Sequence, residues 1–596
     1  MNFNRREKLI KDSVHGYIYI DEEYFKIIDT ALFQRLKNVK QTSYVSLYPS
    51  STHDRFTHSL GTYYLGKQVI TGLWNNIGDS VDYLFSKDDK EEIIFTFEMA
   101  CLLHDVGHAP FSHTGENFYI VKKRDDSLEN NDYFEEYVKA NRIIDFYYLD
   151  GLLINELHKI YSDSDANRFS NPIMKTFLAD YGRVLRGNTA KPHEKMSALI
   201  GLNKLSDKIE NISQSLYGDK IKLNADLFVR CIIGAKYEGL YRKEQELQKY
   251  SFYNAIISLL NSDIIDVDKL DYILRDSYMT GYENAGIDIE RLIKSFTISV
   301  QDDYCLLAYK KNALSVIENV VRANDSSRRW VQNHPIILYD MYITQKCVSE
   351  AFKLLQEELG DKESSVLERF FSMESLSLEG NEWASGEYVL LASDLDVIAL
   401  IKRAYIKSKD PMQKELFEEF FSRDKRRHPL WKSEAEYKEC FDVKAMKQQG
   451  NRILQMIDDA IVVIESRKDK WAGVGEYVFT ESTYAAMMGN MPIAGRRFLN
   501  TIRDYFRSIG KPMDIAILTA RSFSSKIKKL NKNSVNVLMP DYNPYEERRI
   551  YSYSELVNVE DTSSDKMIFY IYSKHDVDTK HFITYLFNEG KFEDLD

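Results

Sequence analysis

HDVGHAPFSH, residues 104–113, follows directly on EEIIFTFEMACLL, residues 91–103, and this junction decides how the chain folds. The upstream run is strongly apolar and free of Gly and Pro, which predicts a helix. Gly107 and Pro110 end it. The helix packs by its apolar face, so its last turn presents His104 and Asp105 toward a cleft. A neutral imidazole beside a carboxylate suits a first-row divalent metal ion.

Further histidines lie close by. Of twelve in the chain, His53, His58, His104, His108 and His113 fall within 61 residues. HDRFTHSLG (53–61) opens a helix predicted from Arg55 to Trp74, with Leu60, Tyr64 and Val69 turned inward. DVDKLDYILRD (266–276) supplies a third helical segment. Ligands drawn from separate helices are a common way to build a metal site in a helical bundle. The expected ligands are His58, His104, Asp105 and Asp268, holding one divalent cation of the Mg, Mn, Fe or Zn type. Such a cation readies a water molecule near neutral pH and offsets charge on a phosphoryl oxygen. His108 and His113 follow closely enough to move protons, and an imidazole's ordinary pKa of about 6.5 suits that task. A single His-Asp pair at a helix end is ordinarily a cap or a surface ion pair. The ordered set of histidines and aspartates singles this one out.

The remaining chain frames the site. YIYID (17–21) alternates as a strand does, and EEYFKIIDTALFQRLKNVK places Phe25, Ile28, Leu32 and Leu36 at helical spacing. Residues 120–190 are polar and irregular, with runs such as KKRDDSLENND, and read as a partly helical insertion. Helical patterns fill 193–294, about 310–359 and 394–422, with a strand or hairpin near 300–309. Beyond about 510 the character changes: DIAIL (514–518), VNVLM (535–539) and MIFYIY (567–572) are β-like, and 579–588 reads as a closing helix. The expected fold is mainly α, with a helical core over 1–345, a helical extension over 346–440 and an α+β region over 441–596.

Composition narrows the class of function. The 596 residues are 44% hydrophobic and 29% charged, enough for a large core in a water-soluble chain. A net charge of −12 disfavours general nucleic-acid binding, although a locally positive or metal-bearing pocket still accepts a nucleotide. The basic clusters SRDKRRH (422–428) and SSKIKKLNKN (524–533) read as solvated faces and are given no role. Five scattered cysteines form no CxxC pair, which fits a reducing cytoplasm. MNFNRREKLIKD lacks the apolar stretch of a signal peptide, and no apolar run reaches membrane-spanning length, so no membrane span is expected.

HDRFTHSLG, HDVGHAPFSH and DVDKLDYILRD, together with DSVHGYIYID and IIDTALFQRLKNVKQ, resemble the HD-domain deoxynucleoside triphosphate triphosphohydrolases. The resemblance runs from residue 8 to about 340 and more weakly to about 440. It implies an HD-type helical bundle and a metal held by the four residues named above. It implies His113 of the FSH motif as catalytic histidine, oriented by Glu116, with His108 and His193 of the KPHEK string as further active-site histidines. It also implies substrate contacts: Gln41 and Asp276 to the sugar 3′-hydroxyl, Arg55 to the α-phosphate or base, and Lys269 to phosphate. Tyr272 would fill the space of a 2′-hydroxyl. Arg322, Gln332 and His334 become candidates for the triphosphate or base, although RRWVQNHP (328–335) departs from the tyrosine and histidine-lysine pattern of relatives. Lys8, Asp29, Gln34 and Lys37 resemble an activating-nucleotide site between subunits of a homo-oligomer, with Lys37 standing where an arginine is usual.

The implied reaction is hydrolysis of a dNTP to a deoxynucleoside and inorganic triphosphate. Two other readings stand beside it: a phosphodiesterase or nucleotidase using the same metal cluster on another nucleotide, and a nucleotide-sensing or nucleic-acid-binding regulator.

Overall fold

A computed structural model describes residues 6–43, 46–77, 79–120, 148–161, 172–187, 190–238, 244–282, 286–359, 366–384, 386–441, 478–480, 484, 493–521, 523–526, 535–539, 550–557 and 567–589. The chain divides into two compact units. The first comprises Met1–Asp325, Lys362–Asp396 and Lys526–Asp561, and the second Ser326–Asp361, Val397–Ser525 and Thr562–Asp596. The fold is mainly α, as the sequence predicts.

Four helices of the first unit carry the chemistry: α1 (Arg55–Asn76), α2 (Lys87–Leu103), α3 (Pro192–Asn203) and α4 (Val267–Thr280). Local signals set their starts. Asp54 caps α1 by accepting from Thr57 N at 2.8 Å, Ser86 and Asp89 cap α2 reciprocally, and Asp266 caps α4 by accepting from Lys269 N at 2.7 Å. Pro192 opens α3, where its missing N–H is not needed. From Phe95 to Leu103 every residue of α2 is buried, so the C-terminal half of this helix runs through the middle of the unit with no solvent face. On α1, Leu60 and Val69 point inward as predicted, while Tyr63 rather than Tyr64 is fully buried.

Close approach between these helices needs small residues. A Cβ on Gly61 of α1 would lie 1.9 Å from Asp271 Oδ1 of α4. A Cβ on Gly107, in the turn after α2, would lie 2.4 Å from the Ser197 backbone nitrogen of α3. These two glycines let α1, α3 and α4 close around the end of α2.

Small sheets border the unit. Glu7–Asp12 and Gly16–Asp21 form the N-terminal hairpin, with Lys8 opposite Ile20. The expected hairpin near 300–309 is Phe296–Gln301 paired with Tyr304–Lys310. Asn536–Leu538 adds to it in parallel, followed by antiparallel Ile550–Ser552. In the second unit, His428–Pro429, Met567–Ser573, Asp514–Arg521 and Val478–Thr480 form an antiparallel sheet in that order. The β-like runs of the C-terminal stretch are all strands, yet they serve two different sheets. Of the region expected as an insertion, Tyr148–Tyr161 and Pro172–Gly187 are helical. KKRDDSLENND (122–132) and most of SSKIKKLNKN lie outside the described residues. No helix among the described residues is long and apolar enough to cross a membrane.

Candidate metal and acid–base centre

His104 and Asp105 stand where α2 gives way to the turn before Gly107, and α1 and α4 bring His58 and Asp268 to them. His58 Nε2 lies 3.0 Å from Asp268 Oδ1, 3.3 Å from His104 Nε2 and 3.4 Å from Asp105 Oδ2. His104 Nε2 lies 3.5 Å from Asp105 Oδ1 and 3.7 Å from Asp268 Oδ1. The four expected metal ligands therefore converge. His58, His104 and Asp268 form one group of side chains able to hold a metal ion. Asp105 faces both histidines but is also engaged by Arg55, whose Nη1 donates to Oδ2 at 2.7 Å.

The outer nitrogens show why a cation fits here. His58 Nδ1 faces Asp271 Oδ2 at 2.7 Å, and His104 Nδ1 faces the Cys101 carbonyl at 2.8 Å. Each Nδ1 faces an acceptor and so carries its ring's proton, which turns the lone pairs of both Nε2 atoms toward each other at 3.3 Å. Two lone pairs at that distance repel unless a proton or a cation shares the space. Burial alone pushes His58 down, but the Asp268 and Asp271 carboxylates override it and raise His58 to about 10. A divalent cation bound between the two rings would take the place of a shared proton.

Asp271, which the sequence reading passed over, orients His58. It also contacts His15 Nε2 at 2.5 Å through Oδ1, and Arg275 Nε donates to its Oδ2 at 2.9 Å. Burial pushes Asp271 up, but Arg275, His15 and His58 hold it well below the usual carboxylate range. Arg275 in turn donates to Asp12 Oδ2 at 2.9 Å, tying the N-terminal hairpin to the site. The i, i+3 spacing puts Asp268 and Asp271 on one helical face, but that spacing alone does not tell a partner of His58 from a surface charge. Asp271→Asn removes a charged acceptor behind a ligating imidazole, and metal affinity is expected to fall about 10–100-fold. Chelator competition measures this, and an affinity equal to wild type would contradict the orienting role.

Beside the first group lies a second. Glu116 Oε1 is 2.6 Å from His113 Nδ1, 2.9 Å from His193 Nδ1 and 3.4 Å from His108 Nδ1. His108 and His193 stack with ring centroids 4.0 Å apart and an interplanar angle of 13°. His108, His193 and Glu116 are buried, whereas the His113 side chain is 50% exposed. Burial pushes Glu116 up, but His193 and His113 pull it well below the usual range, so it stays a carboxylate. These four form another group able to hold a metal ion. Asp105 joins the two groups, its Oδ1 lying 3.1 Å from His108 Nε2.

The expected substrate residues are placed less uniformly. Arg55 is buried, donating to Asp105, to Ser112 Oγ at 2.9 Å and to the Gln41 carbonyl at 3.2 Å. Gln41 Oε1 is buried with no hydrogen-bond partner among the described residues. Lys269 Nζ is held by Asp266 Oδ2 at 2.5 Å and the Ser262 carbonyl at 2.7 Å. Tyr272 reaches Asn324 Oδ1 at 3.5 Å, and Asp276 pairs with His53 at 2.8 Å. Arg322 is exposed and bound to Glu318 on its own helix, and Gln332 and His334 belong to the second unit. Of the expected activator residues, Lys8 lies over the Phe25 ring, Gln34 Nε2 donates to the Ile28 carbonyl, Lys37 lies over Phe56, and Asp29 is exposed.

Residues 55–181 match the family model described as HD domain, and the chain carries such a domain. HD domains bind divalent metal ions, and the two side-chain groups above supply suitable donors. An uncharacterized protein of Methanocaldococcus jannaschii is 24% identical over 345 residues, 58% of this chain and 50% of that protein. The deoxynucleoside triphosphate triphosphohydrolase SAMHD1 of Mus musculus is 26% identical over 349 residues, 57% of this chain and 40% of the relative. The chain spans about half the length of the curated relatives it matches. A solved structure of a hypothetical protein from Aquifex aeolicus shares 16% identity, covering 98% of this chain and 99% of that one with a TM-score of 0.49, a likeness too loose to carry an argument.

Proposed function

We propose, with the HD domain as premise, that this chain is a metal-dependent phosphohydrolase that converts a dNTP to a deoxynucleoside and inorganic triphosphate. One observation carries the reading: a metal-ligand group and a Glu116-centred histidine group share Asp105 as their common wall. The first group would hold the cation that meets a phosphoryl centre, and the second sets imidazoles beside it that can pass a proton to a leaving oxygen.

The chain's own residues divide the work as follows. His58, His104, Asp105 and Asp268 would hold the divalent cation. When bound, the cation supplies Lewis-acid activation of water and stabilises charge on phosphoryl oxygens. Arg55 fixes Asp105 by charge-assisted hydrogen bonding and lies where it can meet the α-phosphate. As water adds to the α-phosphorus, the bond from phosphorus to the 5′-oxygen breaks. His113 delivers a proton to that oxygen from Nε2, because its Nδ1 faces Glu116. Burial holds His113 below the ordinary imidazole range, and the Glu116 carboxylate opposes this by stabilising the imidazolium form that the step requires.

Gln41, Tyr272 and Asp276 line the sugar, with Tyr272 filling the place of a 2′-hydroxyl. Lys269 pairs with phosphate on leaving Asp266, and Arg322 contributes to the triphosphate only after a movement that releases Glu318. Lys8, Asp29, Gln34 and Lys37, on the N-terminal hairpin and the short helices after it, form an activating-nucleotide site in a homo-oligomer. The similarity to the Mus musculus deoxynucleoside triphosphate triphosphohydrolase supports a dNTP as substrate.

Purified protein incubated with each dNTP and rNTP, with Mg or Mn and with or without a second nucleotide, is expected to release deoxynucleoside and triphosphate. Chromatography identifies the products. Release of monophosphate alone would replace this reading by a nucleotidase or phosphodiesterase, and tight nucleic-acid binding without turnover would favour a regulator.

A further inference from the structure

Three segments far apart in sequence meet behind the catalytic loop. Arg35 is buried and donates through Nη1 to the Ala392 carbonyl at 2.8 Å, and through Nη2 to the Val106 and His108 carbonyls at 2.9 and 3.0 Å. Asp394 is buried and uses both oxygens on backbone donors: Oδ1 accepts from Phe111 N at 2.6 Å and Oδ2 from Lys40 N at 3.0 Å. Ser112 Oγ closes the ring by donating to the Lys40 carbonyl at 2.5 Å. Phe111 and Ser112, just before His113, have φ of 62° and 50°, the left-handed region that non-glycine residues rarely adopt. Such a conformation persists only where its surroundings impose it.

We propose that Asp394 is a positioning residue: its carboxylate clamps the Phe111 amide to the Lys40 amide and so sets the turn that aims His113. This rests on the reading that His113 protonates the leaving oxygen. The clamp explains why a bulky residue sits at positive φ with Glu116 three residues beyond His113 still within 2.6 Å of it. It also places the Lys40–Gln41 segment, and with it the Gln41 carbonyl that receives Arg55, at a fixed distance from the same loop. Neither Asp394 nor Arg35 meets the reacting atoms, so each acts through the backbone it holds.

Asp394→Asn is nearly isosteric and tests this. An amide accepts through one oxygen only, so one backbone N–H faces an NH₂ group instead of an acceptor. Expected is a fall in kcat of at least about tenfold with KM and bound metal near wild type, since small misplacement of a catalytic group acts on turnover. Amide exchange over residues 108–116 should quicken. Phe111→Gly in the Asp394→Asn background should recover part of the lost kcat, because glycine adopts positive φ unaided. That double variant also serves if the single one is too unstable to purify. A kcat equal to wild type, or no recovery by Phe111→Gly, overturns the proposal. Were wild type to release no triphosphate from any dNTP, the reading of the reaction would fail, while exchange over 108–116 would still decide the clamp. Unchanged exchange in Asp394→Asn would then overturn it.

Discussion

Changing His104 and Asp105 together to alanine is expected to lower turnover about a thousandfold or more, several kcal/mol of lost stabilisation at the phosphoryl centre. The variant removes two of four converging donors, leaving His58 and Asp268. Bound metal should fall with activity, read by elemental analysis after dialysis. Helix α2 should survive, because the residues from Phe95 to Leu103 that anchor it are untouched. The stability cost comes from elsewhere. Among the described residues Asp105 is the only carboxylate paired with Arg55, and a buried guanidinium stripped of its partner is costly, although Ser112 Oγ and the Gln41 carbonyl remain to it. His104→Ala alone leaves that pair intact. The single variant should therefore lose most of the turnover while melting closer to wild type than the double variant. A double variant that keeps metal and hydrolyses within about tenfold of wild type would remove the site from consideration.

What the sequence could reveal follows from which interactions are local. His104 and Asp105 were legible because an uninterrupted apolar helix ends on them, and His58 and Asp268 because each opens a capped helix of its own. Asp271 was not. With Arg275 four residues on, it reads as a surface ion pair, and only burial against Gly61 turns it into the partner of His58. Arg322 is the converse case: its pairing with Glu318 is what its spacing suggests, an exposed i, i+4 contact. Asp394 has no local signal at all, since its partner Phe111 lies 283 residues away. The strands at 514–521, 536–538 and 567–573 show the same limit. An apolar alternating run announces a strand, but which sheet takes it depends on partners the run does not name. Asn536–Leu538 joins the hairpin at 296–310, whereas the other two pair with each other.

His113→Ala is expected to lower kcat on a dNTP by about 10²–10⁴-fold, the usual worth of a positioned general acid. Metal held by His58, His104, Asp105 and Asp268 should stay at the wild-type level, because His113 is not among these ligands. The geometry makes the test sharper than a loss of rate. His113 is the exposed member of its group, so its removal leaves the stacked His108 and His193 against Glu116 with little change in packing. A proton donor matters only when the departing oxygen needs a proton. A 5′-alkoxide does, whereas a nitrophenolate leaves without one, so bis-p-nitrophenyl phosphate should be cleaved by the variant at nearly the wild-type rate. If both substrates slow equally, His113 acts in binding or in placing water and not in protonating the leaving group. If neither slows, proton delivery belongs to another member of the cluster, and His193, 2.9 Å from the same carboxylate oxygen, is the next to be changed.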